Sequence, residues 1–192
     1  MGTIETSDFK KGTKLIHNGQ PFSVTEFQHV KPGKGNQFTR TKIKNLVTGA
    51  VLDVTYRSGE KVEEADVEDK SMTFLYADGE TYHFMDGKTF EQVEINAELL
   101  GDKAGFILPE MGCDVVFWKG RPITIGIPQH VELRIEHTEP GVRGDTATNV
   151  TKPATLETGA TVNVPLFINI GDTVKVETSS GAYLERTSIG NG

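Results

Sequence analysis

Lys34 stands between two glycines in Pro32-Gly33-Lys34-Gly35. A proline and two glycines favour a turn, because glycine accepts backbone angles that other residues resist and proline fixes one of its own. The flanking residues read as extended, so the spacing predicts a hairpin with a lysine held at its tip. No acidic residue occurs between Glu26 and Asp53, while that interval holds Lys31, Lys34, Arg40, Lys42 and Lys44. On a returning strand Phe38, Arg40, Lys42 and Lys44 share a face, since strand side chains alternate.

Two phosphate-binding readings fail on spacing. A nucleotide P-loop needs a glycine five residues before the Gly-Lys pair and then Ser or Thr. Here Gln28 holds the first position and Gly35 the last. A dinucleotide fingerprint needs a third glycine where Phe38 stands. The remaining chemistry is that of a point cation presented to a polyanion.

Other chemistry is not legible. His17, His29, His83, His130 and His137 lack metal spacing, and no nucleophile is paired with a base, so neither a metal, a cofactor nor an enzymatic activity is expected. Glu63-Glu64 and Glu68-Asp69 read as solvated surface. Cys113 is the only cysteine and lies in an apolar run, which suggests a buried small residue in a reducing, cytoplasmic protein. No secretory signal or membrane-spanning run is apparent.

The 192 residues carry a net charge of −7, with 36% hydrophobic and 24% charged residues, as expected of a folded domain or several small ones. The charge is uneven. Residues 1–64 hold 10 basic and 7 acidic side chains, residues 65–128 hold 5 and 12, and residues 129–192 hold 5 and 8. This balance disfavours a general nucleic-acid binder and points to an oriented contact through the basic end.

The elements that must position the lysine read almost wholly as strand. Asn18-Gly19 marks a hairpin. Leu52, Val54 and Tyr56 alternate, as do Met72, Phe74 and Tyr76, then Tyr82 and Phe84. A short helix is expected from Gln92 to Leu100, stopped by Gly101. Val115 to Trp118 is apolar on both faces and reads as central. Ile123, Ile125 and Ile127 share a face; Val131, Leu133 and Ile135 form a half-buried strand. Residues 139–152 read as a long loop. Beyond it Val162, Val164, Leu166, Ile168 and Ile170 fall on one face, with Val174 and Val176 continuing past Gly171. Tyr76, Tyr82, Phe84, Phe117 and Trp118 could stack bases, but their acidic surroundings favour core packing. The class is all-β, and three small barrels of about 64 residues fit the turn and charge pattern, with boundaries giving 1–64, 65–128 and 129–192.

The chain resembles bacterial elongation factor P over essentially its whole length. Two stretches carry the match: Val30-Lys31-Pro32-Gly33-Lys34-Gly35, and the spaced run Lys152-Pro153-Ala154, Gly159, Val162, Val164-Pro165, Ile168 and Gly171. Arg143-Gly144-Asp145-Thr146 and the tail Gly181-Ala182-Tyr183-Leu184-Glu185-Arg186 agree with it. The resemblance implies an SH3-like, KOW-type domain followed by two OB-fold domains in an L shape. It implies a monomer that contacts both ribosomal subunits beside P-site peptidyl-tRNA and relieves stalling at consecutive prolines. It also implies that modifying enzymes extend Lys34 with a β-lysyl group, with or without hydroxylation. Lys31, Gly33, Lys34, Gly35, Arg40, Lys42 and Lys44 would then face RNA. Gly144, Asp145 and Thr146 would face the small subunit, and Tyr183 and Arg186 would make carboxy-terminal contacts. A free-standing single-stranded RNA-binding module or RNA chaperone is the alternative.

Overall fold

The computed structural model describes residues 2–141 and 150–190. The chain divides into two compact units, Met1–Lys70 with Val115–Thr124, and Ser71–Asp114 with Ile125–Gly192.

The amino-terminal strands are β1 (Thr3–Glu5), β2 (Lys14–His17), β3 (Gln20–Val30), β4 (Phe38–Asn45), β5 (Val51–Arg57) and β6 (Lys61–Glu63). β2 to β5 form an antiparallel sheet in sequence order, and β1 pairs with β6. Asn18 and Gly19 both take positive φ, 50° and 74°, and close the β2–β3 hairpin as the sequence predicts. Phe9, Leu15, Phe22, Val24, Ile43 and Tyr56 pack beneath the sheet. Val54 joins them partly, whereas Leu52 is exposed, so the expected shared face of β5 is buried towards one end only.

Next come β7 (Val67–Asp78), β8 (Thr81–Asp86), β9 (Gln92–Asn96), α1 (Ala97–Leu100), a 3₁₀ segment (Gly101–Phe106), β10 (Gly112–Trp118) and β11 (Arg121–Gly126). The sheet order is β11-β10-β7-β8-β9, which puts β10 inside the sheet as its apolar faces imply. The helix expected from Gln92 starts five residues late, at Ala97. Val93 and Ile95 alternate and pair with Phe84 and Tyr82 of β8, so ladder hydrogen bonds and the burial of Ile95 override the helical spacing. Asn96 then caps α1 by accepting from the Glu98 N–H at 2.8 Å. The alternation of β7 also breaks. A bulge between Phe74 and Tyr76 turns Tyr76 outward, where it stacks on His83 at 4.4 Å instead of entering the core.

The last strands are β12 (His130–Thr138), β13 (Thr151–Leu156), β14 (Thr161–Pro165), β15 (Thr173–Glu177) and β16 (Tyr183–Ser188), in sheet order β14-β13-β12-β15-β16. Val131, Leu133, Ile135, Val162, Val164, Val174 and Val176 fill their core, and Phe106 of the 3₁₀ segment packs among them. The expected run to Ile170 stops short: β14 ends at Pro165, Ile168 is buried, and Ile170 is exposed in a turn. Asp172 explains the break. Its carboxylate accepts from the Asn169 and Gly190 N–H groups, both at 2.9 Å, which winds the loop around it.

Candidate functional site: the basic hairpin

β3 and β4 build a long antiparallel arm closed by the Val30–Phe38 pair. Between them Lys31 to Gln37 form a fully exposed loop, longer than the tight turn that the glycines suggest. It bends at Gly33, Lys34 and Gly35. Gly35 has φ of 111°, outside the range comfortable for a side chain, and this explains a glycine there. Gly33 has no positive φ, and a Cβ there would meet open space. The Lys34 side chain forms no ion pair or hydrogen bond among the described residues.

β4 alternates strictly. Arg40, Lys42 and Lys44 are exposed, Phe38 is half-buried, and Thr39, Thr41, Ile43 and Asn45 are buried. The buried threonines are satisfied: Thr41 Oγ1 donates to the Val54 carbonyl at 2.7 Å, and Thr39 Oγ1 pairs with His29 Nδ1 at 2.9 Å. Arg40 and Lys42 line an open groove of about 640 Å³ together with Glu26, Gln28, Asp53 and Thr55.

The register sorts these cations by their neighbours. Lys42 lies between Glu26 and Asp53, with its ammonium 3.7 Å from the Glu26 carboxylate. Arg40 lies between the neutral Gln28 and Thr55, with its guanidinium 5.4 Å from the Phe38 ring centre. Lys44 lies between Ser23 and Val51. The two carboxylates that bound the acid-free interval in sequence therefore meet across Lys42. Sequence reasoning missed this, because the register of β4 against β3 and β5 is set by the Lys31–Gln37 loop and by a bulge between Val24 and Glu26, and neither is a local signal.

The other expected site residues lie elsewhere. Tyr183 is partly buried against the β12–β16 core, and burial is the main cause that raises its phenol pKa. The Arg186 guanidinium is 3.3 Å from the buried Asp172 carboxylate and 5.1 Å from the Phe167 ring, so part of its donor capacity is already used. Gly144, Asp145 and Thr146 fall outside the described residues. Among the described residues no set of three His, Cys, Asp or Glu side chains is arranged to hold a metal, and no helix is long and apolar enough to cross a membrane.

Comparison with known proteins gives the arrangement its family. Residues 5–62 match the elongation factor P KOW-like domain, 67–125 the elongation factor P OB domain, and 131–186 the elongation factor P carboxy-terminal domain. Elongation factor P of Bdellovibrio bacteriovorus is 48% identical over 184 residues, covering 96% of this chain and 98% of that one. Elongation factor P of Clostridium botulinum is 49% identical over 183 residues, covering 95% and 99%. Among solved structures, a translation initiation factor 5A from Methanococcus jannaschii superposes with a TM-score of 0.52 at 19% identity, over 66% of this chain and 92% of that one, a likeness of fold alone. An all-β chain of KOW-like and OB domains, with a basic hairpin ending in an exposed lysine, thus belongs to the elongation factor P family of translation elongation factors.

Proposed function

We propose that this translation factor binds the ribosome beside P-site peptidyl-tRNA, stimulates peptide-bond formation and relieves stalling at consecutive prolines through a post-translationally extended Lys34. The observation that carries the reading is the Lys34 side chain, exposed at the end of a two-stranded arm and without a partner among the described residues. A hairpin delivers a cation into a narrow RNA-lined space more readily than a flat surface does, and phosphate contacts gain from counterion release. Proline's ring restricts the geometry of its amine. Ordering the terminal nucleotides of the tRNA would remove part of the entropic barrier to its reaction. Lys34 then needs no acid–base role: the ribosome supplies the reaction centre, and the chain is not itself an enzyme.

In this reading a β-lysyl extension added by modifying enzymes lengthens the reach and adds amines, with hydroxylation a further step. Lys31, Arg40 and Lys44 neutralise nearby phosphates, Gly33 and Gly35 let the backbone approach closely, and Lys42 contributes less. Three domains, near 1–64, 65–128 and 129–192, act as a cytoplasmic monomer. The last presents Gly144, Asp145 and Thr146 to the small subunit, with Tyr183 and Arg186 as further contacts.

The test is in vitro translation of a Pro-Pro-Pro reporter with natively modified protein, unmodified protein and Lys34→Ala. Full rescue is expected only from the first. Equal rescue by all three overturns the role of Lys34. Strong binding to isolated single-stranded RNA, with no preference for ribosomes carrying P-site tRNA, favours the general RNA-binding alternative.

A further inference from the structure

Two turns in this chain are wired alike. After β4, Asn45 Oδ1 accepts from the N–H groups of Val47 and Thr48 at 2.8 and 3.0 Å, the Gly49 N–H donates to the Asn45 carbonyl at 2.9 Å, and the Ala50 N–H donates to Thr48 Oγ1 at 3.3 Å. After β8, Asp86 Oδ1 accepts from Lys88 and Thr89 at 2.7 and 3.1 Å, the Phe90 N–H donates to the Asp86 carbonyl at 2.9 Å, and the Glu91 N–H donates to Thr89 Oγ1 at 3.4 Å. The fifth position must be left-handed in both. Gly49 meets that demand with φ of 76°, and Phe90 meets it with φ of 61°.

An aromatic residue is a poor occupant of this position, since the left-handed region crowds its Cβ against the following carbonyl. Burial does not compensate, because Phe90 is 70% exposed and makes no ring contact among the described residues. The other non-glycine residues at positive φ, Asn18, Glu110 and Lys119, are polar. The chain thus holds a large apolar side chain in a strained, hydrogen-bonded turn and leaves it in water. A side chain fixed in this way is available as a rigid aromatic anchor to a surface outside the chain.

We infer that Phe90 is an anchor that inserts into an apolar pocket with a cationic rim on a protein component of the ribosome. The surrounding charge selects a protein over RNA. Residues 71–114 hold nine acidic side chains against two lysines, and Glu91 is the next residue along, so phosphates are repelled and basic side chains attracted. The rigid turn fixes the ring before contact, which limits the entropy lost on binding. This inference rests on the ribosomal reading above but uses a surface separate from the basic hairpin.

The test uses the full chain, purified ribosomes carrying P-site tRNA, and three variants. Phe90→Gly relieves the strain and is expected to fold with an equal or higher Tm, yet to bind ribosomes at least tenfold more weakly; Phe90→Tyr is expected to retain most binding. A photoreactive benzoylphenylalanine at position 90 is expected to cross-link to a ribosomal protein. Unchanged binding by Phe90→Gly, a lowered Tm in that variant, or cross-linking to ribosomal RNA overturns the anchor. Failure of the unsubstituted protein to bind ribosomes overturns the ribosomal reading and the anchor together, whereas an overturning result confined to the position 90 variants removes the anchor and leaves that reading standing.

Discussion

The Lys42 ammonium lies 3.7 Å from the Glu26 carboxylate, on a face where Arg40, two residues away, has only neutral cross-strand neighbours. The basic hairpin is therefore less uniform than its composition suggests. Lys42 is exposed, so the pair adds little stability, at most about 1 kcal/mol. Its effect falls on binding, because Glu26 and Asp53 compete with any phosphate for the same cation. Arg40→Ala is expected to weaken ribosome affinity several-fold and to reduce the slope of log affinity against log salt by about 1. Lys42→Ala is expected to change both less, and Glu26→Gln to strengthen binding. Equilibrium binding across a salt series distinguishes the three.

Gly105 sits where a side chain does not fit. A methyl group on it would stand 2.8 Å from the Ala160 Cβ, and the Gly105 carbonyl accepts from Thr158 Oγ1 at 2.6 Å. Gly105→Ala is expected to lower unfolding free energy by about 1–3 kcal/mol through overpacking. Adding Ala160→Gly is expected to recover part of the loss, a coupling that thermal denaturation of the two single variants and the double variant measures.

Asp172 ties three segments together at a carboxylate that is almost fully buried. Burial alone would raise its pKa, but the Asn169 and Gly190 N–H groups and the Arg186 guanidinium outweigh it and hold the carboxyl below its ordinary value. Because the folded value lies below the unfolded value of about 3.9, the contribution is fully present above that pH and is lost as pH falls through the lower, folded value. Asp172→Asn is expected to cost about 1–3 kcal/mol at neutral pH and to flatten the fall of Tm on acidification below about pH 4. Thermal scans from pH 7 to pH 2 check both.

The Tyr56 hydroxyl is buried with no hydrogen-bond partner among the described residues, while its ring meets Phe9 edge-on at 5.5 Å. Tyr56→Phe keeps the ring and removes an unsatisfied polar atom. It is expected to leave stability unchanged or raise it by about 1 kcal/mol, whereas Tyr56→Leu is expected to lower it, as read from urea titration.

Strand content was legible because alternation is a local signal: β4, β12 as far as Glu136, and β15 follow the sequence pattern residue by residue. The Asn18-Gly19 hairpin was legible for the same reason, its geometry being set by two adjacent residues. The misreadings come from long-range causes. Ile95 is drawn into β9 by β8, Tyr76 is turned out by a bulge, and the end of β14 is set by Asp172, whose partners include the distant Gly190. The tip lysine was visible from its glycines, but the unequal surroundings of Arg40 and Lys42 depend on the register of β4 against its neighbours β3 and β5, which includes a bulge between Val24 and Glu26. Phe90 gave no signal at all, since its unusual backbone appears only when its turn is set beside that of Gly49.

The alternation of β4 has a consequence for how the tip is held in place. Slipping this strand by one residue against its neighbours would drive Arg40, Lys42 and Lys44 inward and push Ile43 into water, a change that desolvated charge makes prohibitive. The span from barrel to Lys34 is thus gauged by the same alternation that turns Arg40 and Lys42 towards the groove. Lengthening the chain within Lys31–Gln37 would move the amine and leave the barrel intact, while one added residue inside β4 would scramble both.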